Sequence, residues 1–202
     1  GLIGVVLLLV LSGRITGFRA LPVVGALLAL GGAAILTIGS AIIPWSNELV
    51  QSVAPGTTFT GRYEIWQMGV TALANRGWEG FGFGGFWLNP ILAHYEVPIE
   101  FKWDPRGTVN GHNGYLDLAL FLGWPGLVLA LWVLLVAPLR AYLRAGANRE
   151  SAVLADFFLM TLLFLLLNAL LESFFFERAN PLWMMTWLAV AGLNLIGRYR
   201  LS

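Results

Sequence analysis

The sequence has 202 residues, of which 58% are hydrophobic and 11% are charged, and its net charge is +1. A soluble domain carries about 25% charged residues, so this chain cannot cover a globular surface with polar groups, and lipid must cover much of it. The small net charge gives no case for nucleic-acid binding, and the absence of cysteine excludes disulfides and thiolate metal sites.

Five apolar runs follow one another along the chain, at residues 1–11, 21–43, 116–139, 152–171 and 181–196. A membrane-spanning helix needs about 20 apolar residues, within a range of about 17 to 25, and the middle three runs satisfy this. The first run lacks the charged start of a signal peptide, so we interpret it as a spanning helix cut short. The fifth run is slightly short, but Trp183 and Trp187 suit a helix anchored at the membrane interface.

These runs predict an all-α fold: a polytopic integral membrane helix bundle with about five spans. We expect residues 1–202 to form a single membrane domain, the C-terminal part of a larger protein. Short basic segments lie between the first and second runs, between the third and fourth, and after the fifth. Their residues are Arg14, Arg19, Arg140, Arg144, Arg149, Arg198 and Arg200. If these segments are cytoplasmic, as the positive-inside rule predicts, residues 44–114 and 172–180 face outward.

The segment 44–114 is too long for a simple connection, because loops beyond about 15 residues are usually functional or disordered. Its many aromatic residues, five tryptophans among them, favour packing or contact with lipid headgroups over disorder. Apolar residues recur at helical spacing over 62–75, with Gly77 placed to end the helix. We therefore predict a large extracytoplasmic loop that carries short helices.

Arg62 is the first candidate for chemistry, because it would lie in the first turn of this outward-facing helix. A guanidinium group can bind phosphate oxygens through two hydrogen bonds, and free N–H groups at a helix start add to an anion site. The alternative is a surface arginine beside Glu64 or a lipid headgroup.

A glycine-rich stretch at 80–85 formally matches GxGxxG. No strand precedes it and phenylalanines separate its glycines, so a dinucleotide loop is disfavoured. We expect this stretch to form a tight turn that lets the backbone approach a helix or a substrate.

His112 lies in the segment NGHNGY at 110–115, at the N-terminal end of the third run. The positive end of a helix disfavours a charged ring there, and a neutral imidazole can take a proton from a hydroxyl group. Asn113 could cap the helix. The alternative is a structural histidine hydrogen-bonded to the backbone. The other histidine, His94, has nothing nearby to position it.

The segment GWPG at 123–126 interrupts the third run, and proline with paired glycines predicts a kink. Asp117 lies one turn into the same run and could instead face the loop.

Glu172 ends the fourth run on the outward side, where ionisable residues are often functional. The alternative for Glu172 is an interfacial side chain or an ion pair with Arg178. No tight group of acidic residues or histidines predicts a metal site, and no cofactor is expected.

These segments, in this order, resemble the O-antigen ligase and O-antigen polymerase family, including its exopolysaccharide production proteins. The matching features are Gly61-Arg62 with Trp66, then 80–84, then His112-Asn113-Gly114-Tyr115, then Gly123-Trp124-Pro125-Gly126, and finally Glu172 with the tryptophans after it. Relatives have more helices and a further outward-facing arginine in an earlier half, which this sequence does not contain.

The resemblance implies a membrane glycosyltransferase of the bacterial inner membrane, with its large loop in the periplasm. Such enzymes transfer a glycan from undecaprenyl diphosphate to a hydroxyl group of a glycan or lipid-linked acceptor, without metal or nucleotide sugar and with inversion. By resemblance, Arg62 holds the donor diphosphate and His112 is the base. The candidate substrate contacts are Asn113, Tyr115, Trp66, Gly82, Gly84, Glu172 and Arg178.

Partners would be the lipid-linked donor, the acceptor, membrane lipids and other polysaccharide-assembly proteins. The segment HNGYLD resembles exopolysaccharide polymerases more than lipopolysaccharide ligases. Two other classes stay open: a transporter or flippase for lipid-linked sugars, and a non-catalytic scaffold of an export complex. A transporter usually has its polar site at the bilayer midplane, whereas the polar residues here gather in the loop.

Overall fold

The computed structural model describes residues 2–145 and 149–199, and every regular element in these two ranges is helical. The helices are α1 (Leu2–Thr16), α2 (Ala20–Leu36), α3 (Pro44–Val53), α4 (Arg62–Arg76), α5 (Gly114–Leu131), α6 (Ala137–Arg144), α7 (Arg149–Asn168) and α8 (Pro181–Arg198). Short 3-10 turns occur at Ile38–Ala41, Pro90–His94 and Pro105–Gly107, and a wider helical turn, Trp132–Val136, joins α5 to α6.

Three helical stretches within the described ranges are long and apolar enough to cross a membrane: Ala20–Ala41, Gly114–Arg144 and Glu150–Asn168. They correspond to the second, third and fourth apolar runs. The first run forms a shorter apolar helix, and α8 has 18 residues but is less apolar. The predicted fold class, an all-α membrane helix bundle, is confirmed. Arg200 and the side chain of Arg149 lie outside what the structure describes.

The chain divides into two compact units. The first unit takes in described residues of 1–31, 129–168 and 176–202. In it α8 packs against α6 and α7, and α1 packs against α7. Its polar centre is Asp156, which pairs with Arg14 at 2.9 Å and accepts a hydrogen bond from the Tyr142 hydroxyl at 2.9 Å. A charge buried in an apolar helix pair needs such partners.

The second unit takes in 32–128 and 169–175, and contains the loop predicted from its aromatic residues. The helix expected at 62–75 is α4, so this prediction is confirmed. Its apolar face, with Trp66 fully buried, packs against Leu116 and the start of α5. Gly69 allows this approach, because a Cβ added there would lie 3.0 Å from Leu116 Cδ2. The loop is therefore a packed layer on α5 and not a disordered connection.

The predicted break in the third run is present at Gly123, whose φ of 68° and ψ of −177° are non-helical. The glycine-rich turn packs directly against this break. The Phe81 N–H donates to the Leu120 carbonyl at 2.7 Å, and the Trp124 N–H donates to the Gly77 carbonyl at 2.7 Å. These bonds satisfy backbone groups that the break releases, as a helix within a membrane requires. The expectation that this turn lets the backbone approach a helix is confirmed.

Candidate active site

Glu172 lies between the two residues that the sequence singled out for chemistry. Its Oε1 is 2.8 Å from Nη2 of Arg62, and its Oε2 is 3.7 Å from Nδ1 of His112. The three side chains come from α4, from the segment before α5 and from the segment after α7, all within the second unit. We call them the Arg62–Glu172–His112 cluster. All three side chains are partly exposed, at 21%, 48% and 38% respectively.

Arg62 is positioned by the start of α4. The helix is preceded by Gly61, whose φ of 84° favours glycine, and no side chain caps it. The backbone N–H groups of Arg62 and Tyr63 donate to the carbonyls of Phe59 and Thr58 in the preceding turn. We expected free N–H groups here to add to an anion site, and for these two groups that was wrong, because the turn already uses them. The guanidinium group is therefore the anion-binding element that Arg62 offers.

His112 is held in a strained backbone conformation, with a φ of 47°. Such a conformation is uncommon for a residue other than glycine and needs support from its surroundings. Part of that support is local, because the His112 N–H donates to Oδ1 of Asn110 at 3.1 Å. Asn113 then caps α5, since its Oδ1 accepts from the N–H groups of Tyr115 and Leu116. The predicted helix cap is confirmed.

The same segment is hydrogen-bonded to the end of α7. The Asn113 side chain donates to the Leu170 carbonyl at 2.9 Å, and its backbone N–H donates to Ser173 Oγ at 3.0 Å. The Gly114 N–H donates to the Ala169 carbonyl at 2.8 Å. Glu172 lies between these anchor points in the chain. The histidine and its acidic neighbour are therefore held by one shared set of backbone bonds.

Gly111, immediately before His112, is fixed from the other side. Its N–H donates to Oδ1 of Asp117 at 2.9 Å, and its carbonyl accepts from the Trp66 indole at 3.0 Å. Asp117 Oδ1 also accepts from the Trp87 indole at 2.7 Å. Asp117 therefore faces the loop, as one of the two expectations for it stated. A Cβ on Gly111 would lie 2.6 Å from Asp117 Oδ1, so only glycine fits.

The structure places the expected substrate contacts in three different settings. Trp66 and Asn113 are fully buried. The Trp66 indole bonds to Gly111, and the Asn113 side chain bonds to Leu170 and to the start of α5, so we assign both to holding the His112 segment. Tyr115 packs edge-on against Phe175, with ring centroids 5.4 Å apart. Arg178 belongs to the first unit, whereas the Arg62–Glu172–His112 cluster belongs to the second.

Gly82 and Gly84 lie with the turn at the α5 break. The Gly82 N–H donates to the Phe121 carbonyl at 3.1 Å. Phe121 is seven residues along α5 from Gly114, a helical rise of about 10 Å. The two glycines therefore bond to α5 away from the end that carries His112.

His112 has the geometry of a positioned base. Its Nδ1 is buried and has no hydrogen-bond partner among the described residues, although the ring is partly exposed. Oε2 of Glu172 faces this nitrogen at 3.7 Å. A small closure of the 3.7 Å gap would let Nδ1–H donate to Glu172, which leaves Nε2 as the proton acceptor.

Sequence reasoning missed two polar residues of this unit. Ser173 accepts from Asn113 and is hydrogen-bonded to Asp117, which links both sides of the His112 segment. Glu64 is 3% exposed on α4 and lies in the wall of a cleft. A single serine after a span carries no signal of its own. An acidic residue in the first turn of a helix is typical of a surface position.

Comparison with known proteins identifies similar sequences. A family model described as O-antigen ligase matches residues 1–131. The exopolysaccharide production protein ExoQ of Rhizobium meliloti (strain 1021) is 30% identical over 101 residues, which are 48% of this chain and 23% of that protein. The chain thus matches less than a quarter of that relative's length. No solved structure matches. The family match includes Arg62 and His112 and ends before Glu172.

Proposed function

Because this chain belongs to the O-antigen ligase family, we propose that it is the glycan-transferring part of a membrane glycosyltransferase. Its donor is a glycan carried on a lipid diphosphate such as undecaprenyl diphosphate. Its acceptor is a hydroxyl group of a second glycan or lipid-linked glycan. The Arg62–Glu172–His112 cluster is the observation that carries the proposal, because it brings a cation for the diphosphate and a base for the hydroxyl into one unit.

Arg62 binds the donor diphosphate in this proposal. A guanidinium group has five N–H donors in a planar fork, and the ion pair with Glu172 is made through one of its nitrogens, Nη2. The remaining donors can take phosphate oxygens. Charge builds on the diphosphate as the glycosidic bond breaks, so a fixed cation stabilises the transition state more than the bound donor.

His112 accepts the proton of the acceptor hydroxyl. As the proton moves to Nε2, the hydroxyl oxygen attacks the anomeric carbon of the donor from the side opposite the diphosphate. The bond from that carbon to the diphosphate oxygen breaks, and the lipid diphosphate leaves with the electron pair. One glycosidic bond replaces another with inversion. General-base help of this kind contributes about 10²- to 10⁴-fold to the rate.

No metal ion is needed in this scheme, because Arg62 offsets the charge of the leaving group. The product class we favour is exopolysaccharide, since the ExoQ relative is named for exopolysaccharide production. We place the reaction on the outer face of the bacterial inner membrane, with residues 44–114 in the periplasm, on the evidence of the basic segments.

A transfer assay tests the proposal. The full-length protein is reconstituted in liposomes with an undecaprenyl-diphosphate-linked oligosaccharide and an acceptor glycan, without added metal and with a chelator present. We expect a lengthened glycan and free undecaprenyl diphosphate by mass spectrometry. Movement of the donor across the bilayer without a new glycosidic bond would instead identify a transporter.

A further inference from the structure

A polar cleft of about 330 Å³ lies on the second unit, beside the start of α4. Ligand pockets in proteins measure about 300 to 1,000 Å³, so this cleft can take a small polar group such as a sugar residue. Its walls come from α3, the turn after α3, the first two turns of α4 and residues 100–102. The lining residues used below are Asn47, Gln51, Glu64, Gln67, Glu100, Phe101 and Lys102.

Glu64 is the unusual member of this wall. Its side chain is 3% exposed, and its Oε2 has no hydrogen-bond partner among the described residues. A buried polar atom without a partner costs roughly 1 to 3 kcal/mol, so its presence needs a reason. The last side-chain torsion of glutamate is broad, and a rotation about it would present Oε2 to a donor bound in the cleft.

Hydrogen bonds within the protein hold two other parts of the cleft wall in place. Gln51 fixes the turn after α3, because its amide donates to the Thr57 carbonyl at 2.9 Å and accepts from the Gly56 N–H at 2.8 Å. Gln67 donates to the Ala41 carbonyl at 3.4 Å, so that one side of its amide is anchored. The cleft therefore exists without a ligand.

The chemistry of the wall selects a neutral, hydroxyl-rich ligand. Glu64 and Glu100 share the wall with one cation, Lys102, so acidic side chains outnumber basic ones and disfavour a diphosphate or another strongly charged anion. Hydroxyl groups of a sugar can donate to the Glu64 carboxyl and exchange hydrogen bonds with Asn47 and Gln67. The Phe101 ring offers an apolar face against which a sugar ring can pack.

The cleft and the candidate active site share the start of α4 but lie on different faces of it. Glu64 follows Arg62 by two positions, which puts the two side chains about 200° apart around α4. Arg62 points to Glu172, while Glu64 lies in the cleft wall. We propose that this cleft is a saccharide-binding subsite, in which Glu64 accepts hydrogen bonds from a sugar residue of the donor or the acceptor glycan. The inference rests on the proposed function, because a glycan must be bound near Arg62.

Binding is measured separately from transfer. Saturation-transfer NMR is recorded on the full-length protein in nanodiscs with a panel of methyl glycosides and with a lipid-free acceptor oligosaccharide. We expect Glu64→Gln to weaken sugar binding about tenfold, as loss of a buried acceptor predicts. The control Glu48→Gln changes an exposed glutamate of α3 outside the cleft wall and should bind as the wild type does.

A second variant keeps the test informative if Glu64→Gln does not fold. Asn47→Leu narrows the cleft from α3 and should weaken binding without lowering thermal stability. Unchanged sugar binding in both variants would overturn the inference. It would also be overturned if the cleft bound Mg²⁺, if Glu64→Gln abolished that binding, and if sugars did not compete with the ion. If the methyl glycosides bind but the reconstituted protein forms no glycosidic bond, the proposed function fails and the subsite stands. In the transfer assay, Glu64→Gln should raise the KM for one of the two glycans. A raised KM for the donor assigns the subsite to the donor glycan, and a raised KM for the acceptor assigns it to the acceptor glycan.

Discussion

Nη2 of Arg62 lies 2.8 Å from Oε1 of Glu172, although 110 residues separate them in the chain. The second carboxyl oxygen faces His112 at 3.7 Å, so a single side chain holds both the cation and the base. This pairing differs from one alternative considered for Arg62, a surface arginine beside Glu64. Glu172 is thus the side chain that joins Arg62 to His112.

Replacement of His112 should abolish proton transfer but not donor binding. We expect His112→Ala to lower kcat by about 10²- to 10⁴-fold, because the acceptor hydroxyl loses its base. The measurement is the reconstituted transfer assay together with the affinity for the carrier-linked donor. His94→Ala, an exposed histidine of the same loop, is the control and should transfer normally. Full turnover in His112→Ala would remove the residue from the mechanism.

Replacement of Arg62 should weaken binding of the donor. We expect Arg62→Ala to weaken donor binding about 10- to 100-fold, the range for a charge-assisted hydrogen bond. Arg62→Lys should recover part of the loss, because it keeps the charge but not the two-pronged geometry. Titration with the carrier-linked donor measures the affinity. Arg76→Ala, at the other end of α4, is the matched control, and an equal loss there would argue against a specific phosphate contact.

Glu172 should act on the rate and not on donor affinity. We expect Glu172→Gln to lower kcat about tenfold, less than the full general-base contribution, because His112 keeps its place but loses its acidic neighbour. Donor binding should not weaken, since Arg62 is released. A double-mutant cycle with His112→Ala measures the coupling. Independent effects of the two changes would show that Glu172 does not act through His112.

Gly123 should resist substitution. Its backbone conformation is nearly exclusive to glycine, and a Cβ would lie 2.4 Å from the Trp78 carbonyl oxygen. We expect Gly123→Ala to lower the free energy of unfolding by about 1 to 3 kcal/mol, as measured by thermal unfolding in detergent. Gly31→Ala in α2, where nothing lies within 4 Å of an added Cβ, is the control. Equal stability of the two variants would contradict this account of the break.

The orientation in the membrane is testable because the chain has no cysteine. Single cysteines at Ser52 and Thr108 should react with an impermeant thiol reagent in intact cells, since both lie in the segment expected to face outward. Thr16→Cys, exposed next to Arg14 in the first connection, should react only after lysis. The reverse pattern would overturn the orientation and with it a periplasmic site.

Local features of the fold were predictable because local chemistry determines them. The helical spacing after Gly61, the cap at Asn113 and the break at Gly123 each follow from a few neighbouring residues. The Arg62–Glu172–His112 cluster was predictable only in part. Sequence reasoning selected its members one by one, but their contact depends on how α4 and the end of α7 pack around α5, and no local pattern encodes that.

The cleft at Glu64 illustrates the same limit. Its walls come from α3, α4 and residues 100–102, which are far apart in the chain. In sequence, Glu64 is an acidic residue in the first turn of a helix, a position that usually faces solvent. Only the packing of α3 and the turn after it against α4 encloses the side chain and reveals its unpartnered oxygen.

The bonds from Asn113 and Gly114 to residues 169–173 have a consequence for exchanging parts between relatives. These hydrogen bonds join the His112 segment and the stretch after α7 into one structural unit, although the two segments are far apart in the sequence. A chimera that imports residues 110–114 from a relative would lose hydrogen bonds between these two segments unless it also imports residues 169–173. We expect a chimera that exchanges both segments to keep its transfer activity. A chimera that exchanges only one of them should fold stably but lose transfer activity.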